Sequence, residues 1–229
     1  MKQAETRLRL QAVIFDMDGL LIDSEPFWRD AEVAVLNPLG VPITHDDCAQ
    51  FAGLRIHEVV ANWRELYPWD GESTDSVADR IQQQLCESIH KRGQLLPGAK
   101  ELVRELYKRG YPLAIATSSA PDVVDAVMAV SGLRDCFRVI ASASAEQYGK
   151  PHPAVYLTAA SQLGIKPQHC LVFEDALLGI IAAKAARMTV VAVPEELNRG
   201  DLRFQLADRV IDSLESFWQQ AGELLGDRS

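Results

Sequence analysis

The stretch Ala12-Val-Ile-Phe-Asp16-Met-Asp18-Gly19 decides how the rest of the chain is interpreted. A short apolar run ends in two aspartates and a glycine, which is typical of a buried strand followed by a turn. Side chains alternate between the two faces of a strand, so Asp16 and Asp18 share a face if the chain stays extended. Two neighbouring carboxyls can divide labour, one ionised and the other protonated. The alternative is a strand that ends in two solvated aspartates, and other parts of the chain must decide between these readings.

The composition bounds the class of protein. The 229 residues carry a net charge of −9, which argues against a general attraction to nucleic acid or acidic membranes. The four cysteines form no Cys-x-x-Cys pair, so we expect neither a zinc site nor a disulfide framework, and we expect a reducing compartment. The sequence shows no signal-peptide pattern and no apolar run of roughly 20 residues that would span a bilayer. We therefore expect a cytoplasmic protein that binds neither nucleic acid nor membranes.

Residues 24–92 are predicted to form a series of helices without a strand. Ser24 is expected to cap the first helix, which should end near Leu36 because the following Asn37-Pro38 disfavours helical backbone. A long helix with a regular apolar stripe is expected over residues 73–92. These helices interrupt the chain directly after its first strand.

From Leu95 onwards, apolar strands alternate with helices. This alternation predicts an α/β fold with a parallel sheet and helices on both faces, and the continuous apolar character of the strands agrees with burial on both sides. The predicted strands cover residues 112–117, 137–142, 170–173, 189–193 and 209–211. A closing helix is expected from Asp212 or Ser213 to about Leu225.

The position of the helical block predicts the domain organisation. We expect a core domain made of residues 1–22 and 95–229, into which an all-helical cap domain of residues 23–94 is inserted. Both ends of the insertion lie at the carboxyl end of the first strand. Open parallel sheets bind their ligands beyond the carboxyl ends of the strands, so the cap should lie over such a site.

Polar side chains follow the predicted strands at this same edge. Thr117 and Ser118 end the second strand, Lys150 lies in the loop after the third, and Glu174-Asp175 ends the fourth. Each has an ordinary alternative: the hydroxyls and carboxyls could cap the next helices, and the lysine could be a solvated loop residue. Their coincidence with Asp16 at one edge of one sheet is not explained by these alternatives.

Together these residues suit phosphoryl transfer to a carboxylate. The carboxylates of Asp16 and Asp175 are hard oxygen ligands of the kind Mg²⁺ prefers. Thr117, Ser118 and backbone amides at the start of the next helix can hold phosphate oxygens, and Lys150 adds positive charge to the transferred group. Asp18 can protonate a leaving alkoxide and then deprotonate an attacking water.

Asp16-Met-Asp18-Gly19, Thr117, Lys150-Pro151 and Glu174-Asp175 occur in an order and spacing that resembles the haloacid dehalogenase (HAD) superfamily. The insertion after the first motif is similar to that of its β-phosphoglucomutase-like subfamily. The resemblance implies a Rossmann-like core and an aspartyl-phosphate on Asp16. It also implies a Mg²⁺ ion, which Mn²⁺ or Co²⁺ could replace. Its ligands would be Asp16, the backbone carbonyl of Asp18 and Asp175, with Glu174 binding directly or through water.

Within this family, two activities remain open. The first is a phosphatase, and the segments around Glu25 and Gly53 most resemble bacterial phosphatases of hexose and hexitol phosphates, including those of 2-deoxyglucose 6-phosphate. The second is a sugar-phosphate mutase, but mutases of this subfamily carry a histidine where this chain has Trp28. We predict that Glu25, Trp28 and Arg55 of the cap contact a small phosphate ester, and that the protein is a monomer.

A third hypothesis is a binding module without catalytic activity on the same fold. Such a protein should have lost at least one of the residues that carry the chemistry. Asp16, Asp18, Lys150 and Asp175 are all present.

Overall fold

The computed structural model describes residues 10–225 and contains one six-stranded parallel sheet. The strand order is β3-β2-β1-β4-β5-β6, so β1 lies between β2 and β4 near the middle of the sheet. Strands β2 and β3 lie on one side of β1, and β4, β5 and β6 lie on the other. The order of addition therefore reverses between β1 and β4, and a crevice opens at their carboxyl ends. The strands are β1 (Ala12–Phe15), β2 (Leu113–Thr117), β3 (Val139–Ser142), β4 (Cys170–Glu174), β5 (Thr189–Ala192) and β6 (Arg209–Val210).

Helices cover both faces of this sheet, as the alternating pattern predicted. Side chains from β1 alternate between two hydrophobic clusters: Phe15 packs in one with Phe173, and Ile14 packs in the other with Val172. These two separate clusters explain why the strands lack the polar positions of a half-exposed sheet. The core helices are α5 (Ala99–Lys108), α6 (Pro121–Ser131), α7 (Ala154–Leu163) and α8 (Leu177–Ala185).

The helical block after β1 has an apolar centre of its own. Trp63 and Ile81 belong to a cluster of buried residues that lie between Ala31 and Ile81. The last turns of the longest helix leave this cluster, since Leu85 and Ile89 pack into the core cluster on one face of the sheet. The block comprises α1 (Glu25–Leu36), α2 (His45–Cys48), α3 (Ile56–Leu66) and α4 (Thr74–Arg92). We refer to these helices and their loops as the cap.

The first cap helix ends where proline was expected to end it. Helix α1 stops at Leu36, and a single 3₁₀ turn, Asn37–Leu39, follows it. Ser73 precedes α4 and its hydroxyl accepts a hydrogen bond from the backbone N–H of Ser76 at 3.2 Å, which is an ordinary N-cap contact. Local chemistry therefore sets the bounds of these helices.

The predicted closing helix from residue 212 or 213 to 225 is wrong. The segment consists of a 3₁₀ turn, Leu214–Ser216, the four-residue helix α9 (Phe217–Gln220) and a second 3₁₀ turn, Gly222–Leu224. Ala221 leaves the helical region with φ −147°, and the glycine after it is a weak helix former. These short turns still bury the apolar side chains of Leu214, Phe217 and Ala221 in the core. The spacing of the apolar residues therefore did not determine that the segment forms one continuous helix.

Candidate active site

Asp16 follows β1 and is buried at the carboxyl end of the sheet. Its Oδ2 lies 3.0 Å from Nζ of Lys150, whose side chain is fully buried. The same ammonium donates a hydrogen bond of 2.6 Å to Oε1 of Glu174, at the end of β4. The structure thus brings together three of the predicted site residues from the ends of β1 and β4 and from the loop after β3.

Further contacts fix the carboxyl group of Glu174. The hydroxyl of Tyr156 donates to Oε1 at 2.6 Å, and the backbone N–H of Ala176 donates to Oε2 at 3.0 Å. A Cβ atom at Gly179 would lie only 1.5 Å from Oε1, so a glycine at this point of α8 provides the space that the carboxyl occupies. Glu174 is therefore held mainly as the partner of Lys150.

Asp16, Glu174 and Asp175 form a buried group of carboxyls. Each offers an oxygen within 4.8 Å of the others. Among residues 10–225, Oδ1 of Asp16 and Oδ1 of Asp175 are buried without a hydrogen-bond partner. Lys150 supplies one positive charge against these three carboxyls, so their full ionisation would leave an excess of negative charge. Two oxygen ligands are also unused. This donor set fits a divalent cation of the Mg²⁺ type.

Burial and mutual repulsion govern the pKa values of this group. Burial raises the pKa of Asp16 to about 8, although the nearby ammonium of Lys150 acts in the opposite direction. Burial, with the charges of Glu174 and Asp16, raises the pKa of Asp175 well above its ordinary value. Burial alone would lower the pKa of Lys150, but the two carboxylates beside it outweigh this effect and raise it. A bound cation would favour the ionised carboxylates.

Asp18 is surrounded by hydrogen-bond donors from both the core and the cap. Ser24 Oγ donates to Oδ1 at 2.7 Å, and the indole Nε1 of Trp28 donates to the same oxygen at 3.2 Å. On the other oxygen, Ser119 Oγ donates to Oδ2 at 2.7 Å and Thr117 Oγ1 lies 3.5 Å away. A hydroxyl can donate or accept a hydrogen bond, so the serines can accommodate either protonation state of Asp18.

The role expected for Ser24 as a helix cap needs correction. Ser24 precedes α1, but it has helical dihedral angles and makes no side-chain capping bond. Ser119 does not cap α6, whose N-cap residue is Ala120. Both hydroxyls bind Asp18 instead. Each serine therefore orients the Asp18 side chain and not a helix terminus.

The core residues face a cavity that the cap closes from the other side. Its volume is about 60 Å³. The hydroxyl of Ser118 donates to the backbone carbonyl of Gly53 in the cap at 2.7 Å, so this predicted phosphate ligand also joins the two parts of the molecule. The predicted site residues that line the cavity are Asp16, Asp18, Glu25, Trp28, Thr117, Ser118 and Asp175.

The cap residues Glu25, Trp28 and Arg55 occupy different environments. Glu25 and Trp28 line the cavity, and burial together with the charge of Asp18 raises the pKa of Glu25 to about 7. Arg55 is not among the lining residues. Its Nη1 donates to the backbone carbonyls of Ala143 at 3.3 Å and Glu146 at 3.0 Å in the core, while Nη2 pairs with Glu58. Arg55 therefore links the cap to the loop after β3.

The family model for haloacid dehalogenase-like hydrolases matches residues 10–187. Hexitol phosphatase B of Escherichia coli (strain K12) is 40% identical over 222 residues, which cover 96% of this chain and 99% of that protein. Among solved structures, CbbY from Rhodobacter sphaeroides in complex with phosphate superimposes with a TM-score of 0.83 at 26% identity, covering 91% of this chain and 96% of that one.

A second solved structure bears on the alternative activity. β-Phosphoglucomutase from Clostridium difficile superimposes with a TM-score of 0.80 at 25% identity, covering 90% of this chain and 92% of that one.

Within residues 10–225, no helix combines the length and the apolar character needed to cross a bilayer.

Proposed function

Because this chain belongs to the haloacid dehalogenase-like hydrolase family and is an enzyme of that family, we propose that it hydrolyses phosphate monoesters of small sugars or polyols. Hexitol phosphates and 2-deoxyglucose 6-phosphate are the first candidates, since the chain resembles Hexitol phosphatase B over nearly its whole length. One observation carries the proposal: two aspartates, Asp16 and Asp18, line the same cavity, and the buried Asp16 lies beside the ammonium of Lys150.

Asp16 is the nucleophile in this proposal. Its carboxylate oxygen forms a bond to phosphorus while the bond from phosphorus to the ester oxygen breaks, which leaves an aspartyl-phosphate and an alkoxide. Asp18 gives its proton to the alkoxide. Asp18 then takes a proton from a water molecule that attacks the aspartyl-phosphate, releases inorganic phosphate and restores Asp16.

Thr117, Ser118 and Lys150 would hold the transferred phosphoryl group. Thr117 and Ser118 line the cavity at the end of β2, and Nζ of Lys150 lies 3.0 Å from Oδ2 of Asp16. The ammonium stabilises the negative charge on phosphate oxygens without reorganisation, because Glu174 already fixes its position. Charge that is fixed in a buried site acts more strongly than charge in water.

The unpartnered oxygens of Asp16 and Asp175 support a Mg²⁺ site. We propose that these two carboxylates hold the ion together with the backbone carbonyl of Asp18, and that Mn²⁺ or Co²⁺ could replace it. Glu174 would assist through water, because both of its oxygens already accept hydrogen bonds. A bound divalent ion would neutralise part of the charge of the carboxylates and of the phosphate.

The division into a core of residues 1–22 and 95–229 and a cap of residues 23–94 belongs to the same proposal. Trp28 and Ser118 support it, since each joins cap and core at the cavity. Closure of the cap would exclude water until the leaving group departs. We further propose that the protein acts as a cytoplasmic monomer on a small-molecule phosphate ester.

A sugar-phosphate mutase is the second candidate, favoured by the likeness to β-phosphoglucomutase. A mutase needs the same phosphoryl chemistry but must return the phosphate to the sugar before water attacks. Trp28 weighs against this activity, because its indole N–H can only donate a hydrogen bond and cannot move protons as a histidine can. Product analysis separates the two: a phosphatase releases inorganic phosphate, and a mutase forms an isomeric sugar phosphate.

A phosphate-release screen with Mg²⁺ tests the proposed function. The panel contains hexitol, hexose, pentose and glycolate phosphates, each with and without EDTA. We expect the highest kcat/KM for a hexitol phosphate or 2-deoxyglucose 6-phosphate, and loss of activity with EDTA. Absence of phosphate release from every sugar and polyol phosphate would overturn the proposal.

A further inference from the structure

One wall of the cavity carries polar groups that the proposed chemistry does not use. Glu25, Trp28, Arg29 and Glu32 all line the cavity. They follow one another at helical spacing, so α1 presents one continuous face to it. Trp28 contacts Asp18, whereas Glu32 lies four residues further along α1, which is roughly 6 Å along the axis of an α-helix. The cavity wall therefore extends from the reaction centre into the cap.

Glu32 is a buried carboxyl at the far end of this wall, only 6% exposed. The indole Nε1 of Trp63 donates to its Oε2 at 3.1 Å, which fixes the side chain inside the cap. The thiol of Cys48 also hydrogen-bonds to this carboxyl. A carboxylate can accept about four hydrogen bonds, so these two contacts leave acceptor capacity toward the cavity. An acidic group placed inside an apolar cluster is costly unless it is used or satisfied.

Arg29 supplies a donor beside this acceptor. Its Nη2 pairs with Glu195 in the core at 2.7 Å, which fixes the guanidinium. Its Nε is buried, and no hydrogen-bond acceptor for it exists among the residues that the structure describes. Arg29 and Glu32 are three residues apart and so lie next to each other on the helix surface. One fixed donor and one fixed acceptor are what a hydroxyl group, which both donates and accepts, can satisfy.

We infer that Arg29 and Glu32 form a hydroxyl-binding subsite for the far end of a polyol or sugar chain whose phosphate lies at Asp16. The inference rests on the proposed function and specifies its substrates. Glu32 lies about one helical turn beyond Trp28, which contacts Asp18, so a six-carbon substrate should reach the subsite and a three-carbon substrate should not. The subsite selects for chain length and for terminal hydroxyls.

The test compares sorbitol 6-phosphate with glycerol 3-phosphate in the same enzyme preparation. The ratio of their kcat/KM values is measured for the wild type, Glu32→Leu and Glu32→Gln. A ratio within one preparation does not depend on how much of a variant folds. We expect Glu32→Leu to lower the ratio about tenfold or more, the effect of losing a hydrogen bond to a charged group. Glu32→Gln, whose amide still offers an acceptor, should lower it less.

Variants of Arg29 and of its ion-pair partner Glu195 can be compared as test and control. Arg29→Lys keeps a positive charge for Glu195 but removes Nε, whereas Glu195→Gln weakens the ion pair and leaves Nε in place. We expect the first variant to lower the ratio about tenfold. The second should lower it much less, because the amide oxygen of glutamine can still accept a hydrogen bond from Nη2.

An unchanged ratio in Glu32→Leu and Arg29→Lys would overturn the subsite while leaving the phosphatase proposal intact. A similar fall in Glu195→Gln would also overturn it, because the effect would then follow from cap position. The proposed function fails separately, if the wild type releases phosphate from no sugar or polyol phosphate of the panel.

Discussion

The indole Nε1 of Trp28 donates a hydrogen bond to Oδ1 of Asp18 across 3.2 Å, and this contact joins the first helix of the cap to the end of the first strand of the core. Ser24, at the junction between the two, donates to the same oxygen. The position of the cap is thereby coupled to the group that we propose moves protons. We therefore expect a change in the position of the cap to change the orientation of Asp18.

The Trp28 contact predicts an effect on turnover. Trp28→Phe keeps most of the ring but removes the donor, so Asp18 should be less well oriented when the cap is closed. We expect kcat for a hexitol phosphate to fall about tenfold, equivalent to roughly 1.4 kcal/mol of barrier. Trp69→Phe is the matched control, because its Nε1 donates within the cap to the carbonyl of Glu72. Equal effects of the two changes on kcat would contradict this role.

The short distance between the Gly19 backbone and the carboxyl group of Asp175 gives a further prediction. Gly19 has φ +67°, and a Cβ atom there would lie 2.3 Å from Oδ2 of Asp175. Gly164 has φ +73° with open space around it, so Gly164→Ala should cost only about 1 kcal/mol of stability for the left-handed backbone. Gly19→Ala should pay the same cost and also displace Asp175.

Steady-state kinetics and chemical denaturation distinguish these two glycine variants. We expect kcat/KM to fall at least about tenfold in Gly19→Ala, with a higher Mg²⁺ concentration needed for half-maximal activity. Gly164→Ala should keep the kinetics of the wild type. If Gly19→Ala keeps its activity and Mg²⁺ requirement, the close contact with Asp175 has no part in catalysis.

Much of the fold and the core of the site could be predicted from the sequence. The haloacid dehalogenase-like assignment and the α/β fold are confirmed. They could be predicted because apolar strands with polar ends are local patterns with a fixed period. The metal and substrate roles of the individual residues stay predictions. Asp16, Lys150 and Glu174 were expected at one edge of the sheet, and the structure places them in contact.

The residues that sequence reasoning missed act through tertiary contacts. Tyr156 looks like any aromatic residue on a core helix, and nothing near it in the sequence indicates a bond to Glu174. Ser24 precedes a helix, where serine is usually a cap, so local propensity pointed to the wrong partner. The closing helix failed for a similar reason, since packing against the sheet accepts short turns as readily as one helix.

Arg55 gives a prediction about cap closure. Its bonds to the carbonyls of Ala143 and Glu146 hold the cap against the core outside the cavity. Arg55→Ala should therefore lower kcat/KM for all sugar phosphates by a similar factor of about three to ten, the effect of one or two hydrogen bonds. The control is Arg64→Ala, whose guanidinium contacts Trp69 within the cap. A changed ranking of substrates in Arg55→Ala would instead assign Arg55 to substrate recognition.

Glu32 gives a prediction about pH. Burial raises its pKa from 4.5 to about 7, while the hydrogen bonds from Trp63 and Cys48 and the charge of Arg29 act in the opposite direction. A carboxyl with a raised pKa contributes most to stability below pH 4.5, where it is protonated in both the folded and the unfolded state. Between pH 4.5 and 7 the unfolded state ionises first, and this contribution is lost.

Denaturation of the wild type and Glu32→Gln at several pH values measures this effect. The free energy of unfolding of the wild type, relative to the variant, should fall by about 3 kcal/mol between pH 4.5 and 7.5 and then stay constant. Subtraction of the variant removes the contributions of the other titrating groups. A difference that is independent of pH, or that grows with pH, would contradict the raised pKa of Glu32.

The most direct test of covalent catalysis by Asp16 is the Mg²⁺-dependent turnover of Asp16→Asn. Asparagine has the same shape but cannot attack phosphorus, so kcat for the best sugar or polyol phosphate should fall by at least about a thousandfold, while circular dichroism shows a folded protein. Turnover of Asp16→Asn that stays within about tenfold of the wild type would contradict covalent catalysis by Asp16.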